Sequence, residues 1–260
     1  MNKNMKIVVI NNKGGVGKTT SSNELFAPFL SFENNMEPTI VYEFDEENLH
    51  DVKYKKSECV KFLAQKITDC DLEDNIMNIL LEDTHSVIDI GANKSTTYFL
   101  EALEKSALDQ VISLVAIPIS DGEQDTLNAR NIYRKIRSMN SDVPIIFVLS
   151  RYNPSRELEY QFDYFFEELI PNIEKRDRNW VVLNDSDSIK FAKREGTTVF
   201  ELSYDRTDYK SIIKDALKNK KSNKKIKEIS KKHKLLQDTI KYRRDVLTPA
   251  FNKLKELMSN

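Results

Sequence analysis

The sequence predicts a doubly wound α/β fold, with a mainly parallel sheet between two helical layers and a basic helical C-terminal extension. Three observations lead there. Short β-rich apolar runs alternate with longer stretches of helical character through most of the chain. Most of those runs are continuously apolar rather than alternating, as strands buried on both faces read. Beyond Ser211 the pattern changes: charge density rises, glycine disappears and only Pro249 interrupts.

In chain order, strands are expected at 6–11, 39–45, 86–90, 111–119, 144–150 and 180–184. Helical segments are expected at 19–32, 96–106, 124–137 and 156–169. The stretch 52–82 reads less cleanly, with a strand around 60–67 and a helix around 72–81. Trp180 and the tyrosines of LEYQFDYFF read as packing residues. From Ile226 a seven-residue spacing marks a helical stripe: Ile226, His233, Ile240, Leu247 and Leu254. A second row is Ile229, Leu236, Arg243, Ala250 and Leu257, so His233 and Arg243 are polar defects in the stripe. Thr248 before Pro249 reads as an N-cap and a first-turn proline, so a new helix is expected there.

At 260 residues the chain can bury a sizeable core. Its net charge of −1 conceals a segregation. Residues 1–207 hold 24 Lys and Arg against 35 Asp and Glu, whereas residues 208–260 hold 16 against 6. An acidic body, 1–207, thus carries a basic tail, 208–260, suited to a polyanion. No apolar run approaches the roughly 20 residues that span a bilayer, and no secretory signal is read at the N-terminus. A cytoplasmic location is expected. Cys59 and Cys70 lack C-x-x-C spacing, and three histidines are too few for a ligand cluster, so both thiols are read as reduced.

The stretch NNKGGVGKTT, residues 11–20, places three of the chain's six glycines within four positions, between a strand and a helix. That is where a phosphate loop belongs. Gly14, Gly15, Val16 and Gly17 can curl the backbone so that successive N–H groups face an anion, and the helix that follows adds its positive end. Lys18 can reach β- and γ-phosphates, the Thr19 hydroxyl can hold Mg²⁺ and Thr20 can touch the α-phosphate. The pattern G-x-x-x-x-G-K-[ST] is not met, because Asn12 fills its first glycine slot. In its place stands K-G-G-V-G-K-T, with a second lysine, Lys13, five residues before Lys18.

KGGVGKTT resembles the deviant Walker A box of the ParA/MinD ATPases, a group that also includes nitrogenase iron protein. The resemblance covers roughly residues 4–207 and is strongest at this loop. It implies that Lys13 crosses to the partner's nucleotide in a dimer sandwiched around ATP. Where the family usually shows D-x-D-P, this chain has Glu43-Phe44-Asp45-Glu46. By position, the resemblance gives Asp45 the attacking water and places Glu43 near the Mg²⁺ shell. IIFVLSRYN and LNDSDSIKFAKREGTTVFE occupy the places where the family holds adenine, with Ser150 in place of a frequent asparagine.

Two further stretches complete the reading. In HSVIDIGANKS, Asp89 ends an apolar run, where a carboxylate can hold Mg²⁺ through water. Gly91 would let the backbone approach a γ-phosphate. The loop from Asp121 to Asp125 belongs to the ligand-bearing edge of a parallel sheet. Asp121 there reads equally as facing a dimer partner or a γ-phosphate and as a helix cap.

The tail carries Lys220, Lys221, Lys224, Lys225, Lys227, Lys231, Lys232 and Lys234 on helix-prone sequence. They would neutralise DNA phosphates without reading sequence. A basic helix packed back on the acidic body, and a membrane-surface helix built on Phe251, Leu254, Leu257 and Met258, are the alternatives. The function expected is an ATP-dependent dimeric switch with weak ATPase activity. It would act in plasmid partition or stability on non-specific DNA or a DNA-bound adaptor protein, and associate with the nucleoid. A MinD-like positioning ATPase, a conjugation-linked ATPase, an iron-protein-like electron carrier and a small-molecule ligase are its rivals.

Overall fold

The computed structural model describes residues 4–44, 54–65 and 72–259. Seven parallel strands form one sheet: β1 (Lys6–Val9), β2 (Thr39–Phe44), β3 (Val60–Gln65), β4 (Ser86–Ile90), β5 (Leu114–Ile119), β6 (Ile145–Tyr152) and β7 (Trp180–Asn184). Their order is β3-β2-β4-β1-β5-β6-β7. β1 therefore lies at the centre, where connections run outward in both directions, and the crevice beyond its C-terminal end is the place for a ligand.

Side-chain parity explains the continuous apolar runs. Val8 and Ile10 enter one core, while Ile7 and Val9 enter the other. The first face is covered by α3 (Leu72–Leu81), α4 (Lys94–Ser106) and α5 (Glu123–Met139), through side chains such as Ile76, Phe99, Leu103 and Ile132. The second is covered by α1 (Lys18–Ser21), α2 (Ala27–Glu33), α7 (Asp187–Glu195) and α8 (Val199–Leu202). α1 and α2 join through a π-helical turn, Ser22–Phe26, into one helical run.

The expected strand 111–119 begins only at Leu114, because a 3₁₀ turn, Leu108–Val111, follows Ala107 in a left-handed conformation. The expected helix 156–169 is broken. α6 (Leu158–Gln161) stops at Phe162, and a π turn (Phe165–Leu169) and a 3₁₀ turn (Ile170–Asn172) follow. Phe165 and Phe166 of this irregular segment pack edge-on against Trp180, so tertiary packing overrides helical continuity.

The tail forms α9 (Tyr209–Lys218), α10 (Asn223–Tyr242), a π turn (Arg243–Leu247) and α11 (Thr248–Ser259). Thr248 is not an N-cap: its φ of −62° and ψ of −47° are helical, and the chain passes through it without a break. The wide turn makes room for Pro249, whose ring would otherwise press on a carbonyl one turn back. The C-terminal part of the stripe is covered by the body, while Ile226 and Ile229 at its start are only half-buried. Leu236, Leu247, Ala250 and Leu254 are buried, and all but Leu236 join the second core. Its polar defects have partners: Arg243 lies 4.0 Å over the Tyr204 ring, and His233 sits against Tyr209.

Candidate functional site

β1 leaves the sheet at Ile10, and the loop that follows is held from below. The Asn11 side chain donates to the Pro118 carbonyl at 2.7 Å and accepts from the Lys13 amide at 3.0 Å. Gly15 and Gly17 have φ of +78° and +94°, a region that costs glycine no Cβ clash. A Cβ on Gly17 would also stand 2.7 Å from the Ser150 hydroxyl. Around Gly14 and Gly15 there is nothing within 4 Å of a would-be Cβ, so the loop is open above them.

That opening is a cavity of about 540 Å³. Gly14, Gly15, Gly17, Lys18, Thr19 and Thr20 line it from the loop and α1, and Glu43, Asp89 and Gly91 from the ends of β2 and β4. Glu43 and Asp89 are register partners on adjacent strands. They share the parity of Val41 and Val87, so they lie on the α1 side of the sheet. The Lys18 ammonium donates to the Lys13 carbonyl at 2.9 Å, which curls the loop around it. Two carboxylates and the Thr19 hydroxyl at one cavity are the hard oxygen donors that suit Mg²⁺.

Several expected residues behave otherwise. The Val16 side chain is buried at 1% exposure and anchors the loop, which leaves its backbone N–H as the part that could face an anion. The Gly91 amide donates to the Phe44 carbonyl at 2.7 Å, and a Cβ there would meet that oxygen at 2.6 Å. Close passage of β2 past β4 is thus what requires glycine at 91. Asp121 caps nothing, since α5 starts after Gly122 without a side-chain cap bond. Asp45 and Cys70 lie outside the described residues. Cys59 is buried, and burial pushes its thiol up to about 11. Lys220, Lys221, Lys224, Lys225, Lys231 and Lys232 are exposed along the α9–α10 turn and the first half of α10, away from the cavity lining.

Four features carry no sequence signal of their own. Lys13 forms an ion pair with Asp125, whose side chain is 3% exposed and also accepts from the Ser120 hydroxyl. Lys193 of α7 reaches the Thr20 hydroxyl at 3.4 Å. Behind the loop, the fully buried Glu24 accepts from the Tyr54 hydroxyl at 2.9 Å and the Val199 amide at 2.8 Å. Finally, Arg151 lines both this cavity and a smaller one of about 190 Å³, which also holds Ser150, Leu183, Asn184, Asp185 and Ile189. The two stretches IIFVLSRYN and LNDSDSIKFAKREGTTVFE thus meet at one pocket beside the loop.

The doubly wound parallel sheet thus runs from its central strand through a glycine-rich loop into a helix, the arrangement in which open α/β sheets hold phosphate-bearing ligands. No family model matches this chain, and no curated protein matches it. Among solved structures it is similar to a plasmid partition protein from Borrelia burgdorferi, at 14% identity over 71% of this chain and 91% of that one, with a TM-score of 0.45. It is also similar to a candidate plasmid partition protein from Borrelia burgdorferi B31 bound to AMPPNP, at 16% identity over 72% and 89% of the two chains, with a TM-score of 0.44.

Proposed function

We propose that this chain is an ATP-dependent switch with weak ATPase activity, in which ATP and Mg²⁺ favour a homodimer that acts in DNA partition or stability. The observation that carries the reading is the convergence on one cavity of open loop glycines, the Lys18 ammonium and a register-paired Glu43 and Asp89. A triphosphate with its cation needs that combination: backbone donors and a lysine for the phosphate oxygens, carboxylates and a hydroxyl for the metal.

In this reading the amides around Gly14 and Gly15 receive phosphate oxygens. Lys18 exchanges the Lys13 carbonyl for the β- and γ-phosphates, and Thr20 meets the α-phosphate. Thr19, Glu43 and Asp89 would hold Mg²⁺, which when bound offsets charge on the transferring phosphoryl group. Asp45 orients the attacking water, and Gly91 would join a second switch at the γ-phosphate only by releasing the Phe44 carbonyl that its amide holds in the single chain.

Lys13 is the residue that links the nucleotide to assembly. In the single chain it is paired with Asp125. To serve a partner's nucleotide it must leave that carboxylate. Asp125 would keep the Ser120 hydroxyl and the first turn of α5, whose positive end favours an anion. Loss of the γ-phosphate then removes Lys13's reason to cross, and the pair with Asp125 reforms. The exposed lysines of the α9–α10 turn would hold DNA by its phosphates, or dock on a DNA-bound adaptor. Such a protein would work in the cytoplasm, on the nucleoid.

Light scattering on the full chain tests the assembly step. The wild type should dimerise with ATP and Mg²⁺ and be monomeric with ADP. Lys13→Ala should bind ATP within about threefold of the wild type yet remain monomeric; ATP-dependent dimers of that variant would refute the bridging role.

A further inference from the structure

Arg151 is held in a conformation its side chain does not favour. Its φ is +60°, in the left-handed region, and the β6–β7 register slips between Ser150 and Tyr152. A bulge of this kind re-aims a side chain and is frequent beside active sites, and a strained residue persists only where its surroundings over-determine it. Those surroundings are present. Gln161, 7% exposed, donates from its amide to the Arg151 carbonyl at 3.1 Å and accepts from the Asn153 amide at 2.9 Å. One buried side chain thus holds the backbone at the bulged residue and again two residues on. The Asp185 amide donates to the Tyr152 carbonyl at 3.0 Å, which ties the same bulge to the end of β7.

The clamp leaves the Arg151 side chain exposed at the join of the two cavities. Gly17 and Thr20 also line both, so the spaces are continuous around the start of α1. The larger is polar and built for phosphates. The smaller has Leu183 and Ile189 with a few polar groups, the mixed lining of a pocket for a flat heterocycle. A guanidinium is planar, weakly hydrated and stacks on aromatic faces, which an ammonium does not do as well.

Building on the proposed nucleotide site, we infer that Arg151 is its base-clamping residue: the bulge aims the guanidinium across the face of the nucleobase in the smaller cavity. The strain at residue 151 is the cost of that aim, and Gln161 holds it.

The experiment is calorimetry on the full chain with ATP, ADP and inorganic tripolyphosphate, each with Mg²⁺, for the wild type, Arg151→Lys and Arg151→Gly. Arg151→Lys, which keeps the charge and loses the plane, should weaken ATP and ADP alike, by roughly 5- to 30-fold, and leave tripolyphosphate unchanged. Arg151→Gly should show the same loss, yet its nucleotide-free thermal midpoint should equal or exceed that of the wild type, because glycine relieves the left-handed strain. Wild-type affinity in Arg151→Lys overturns the stacking role, as does parallel weakening of tripolyphosphate. A lowered midpoint in Arg151→Gly makes the residue structural instead. Nucleotide binding by the wild type with no change in either variant sinks this inference alone; no binding by the wild type sinks the nucleotide site with it.

Discussion

Burial pushes the Glu24 carboxyl up to about 7, even though the Val199 amide, Lys193 and the Tyr54 hydroxyl all favour its charged form. In the unfolded chain the group ionises near pH 4.5. In the fold it keeps its proton longer, so between those values the folded state binds more protons and stability falls as pH rises. The loss amounts to about 3 kcal/mol and is complete above pH 7. Glu24→Gln keeps an acceptor for Val199 and has no proton to lose. Urea midpoints from pH 4.5 to 8 should therefore decline for the wild type and much less for Glu24→Gln; parallel curves would contradict the assignment. The glycine-lysine loop is legible in the sequence at this scale because its chemistry is local: each residue needs only its neighbours to make sense. The Lys13–Asp125 pair, Lys193 on Thr20 and the Glu24 network join residues far apart in the chain, and no spacing rule reports them. Arg151 leaves no signal beyond its place at a strand end, since its left-handed backbone is set by Gln161 and the bulge.

Elements are legible where one physical rule governs them. Continuous apolar runs mark the central strands because both faces of the sheet are covered. Helices depart from the simple periodic pattern where proline interferes. Among the described residues three π turns occur, Ser22–Phe26, Phe165–Leu169 and Arg243–Leu247, and each ends two residues before a proline: Pro28, Pro171 and Pro249. Proline has no N–H to return to the preceding turn and its ring crowds the carbonyl there, so a wider turn ahead of Pro28 and of Pro249 lets the helical run continue, whereas at Pro171 the run ends in the 3₁₀ turn Ile170–Asn172. A fresh helix start at Thr248-Pro249 leaves that option out. The α9–α10 turn supports a prediction of its own. Lys220, Lys221, Lys224 and Lys225 are all exposed, so replacing them with glutamine should leave the thermal midpoint within a degree or so. Gel shifts on generic duplex with ATP should weaken, and the slope of log affinity against log salt should flatten by roughly 0.9 for each phosphate no longer neutralised. Unchanged retention and slope would remove the turn from any DNA interface.

Across the whole molecule, charge and packing divide differently. The basic tail stands apart from the acidic body in sequence, yet its second half is core. Tyr242, Leu247, Phe251 and Leu254 close the face of the sheet that also carries α1 and α2. Phe29 and Phe251 meet edge-on at 5.5 Å, so the helical run that starts at the phosphate loop is braced by the last helix. A membrane-surface reading of that helix needs Phe251 and Leu254 outward, and they are 8% and 0% exposed. Among the described residues no helix is long and apolar enough to cross a membrane. The charges stay outside on the turn, while α10 packs on α7, the helix whose Lys193 touches the loop. That arrangement puts the candidate DNA surface one helix away from the candidate nucleotide site. All of it depends on the cavity above Gly14 and Gly15 taking a nucleoside polyphosphate. Titration calorimetry of the full chain with ATP and with ADP, magnesium present, tests that most directly. Saturable binding of both, with dissociation constants on the order of micromolar, is the predicted result; heats of dilution alone up to millimolar nucleotide would contradict it.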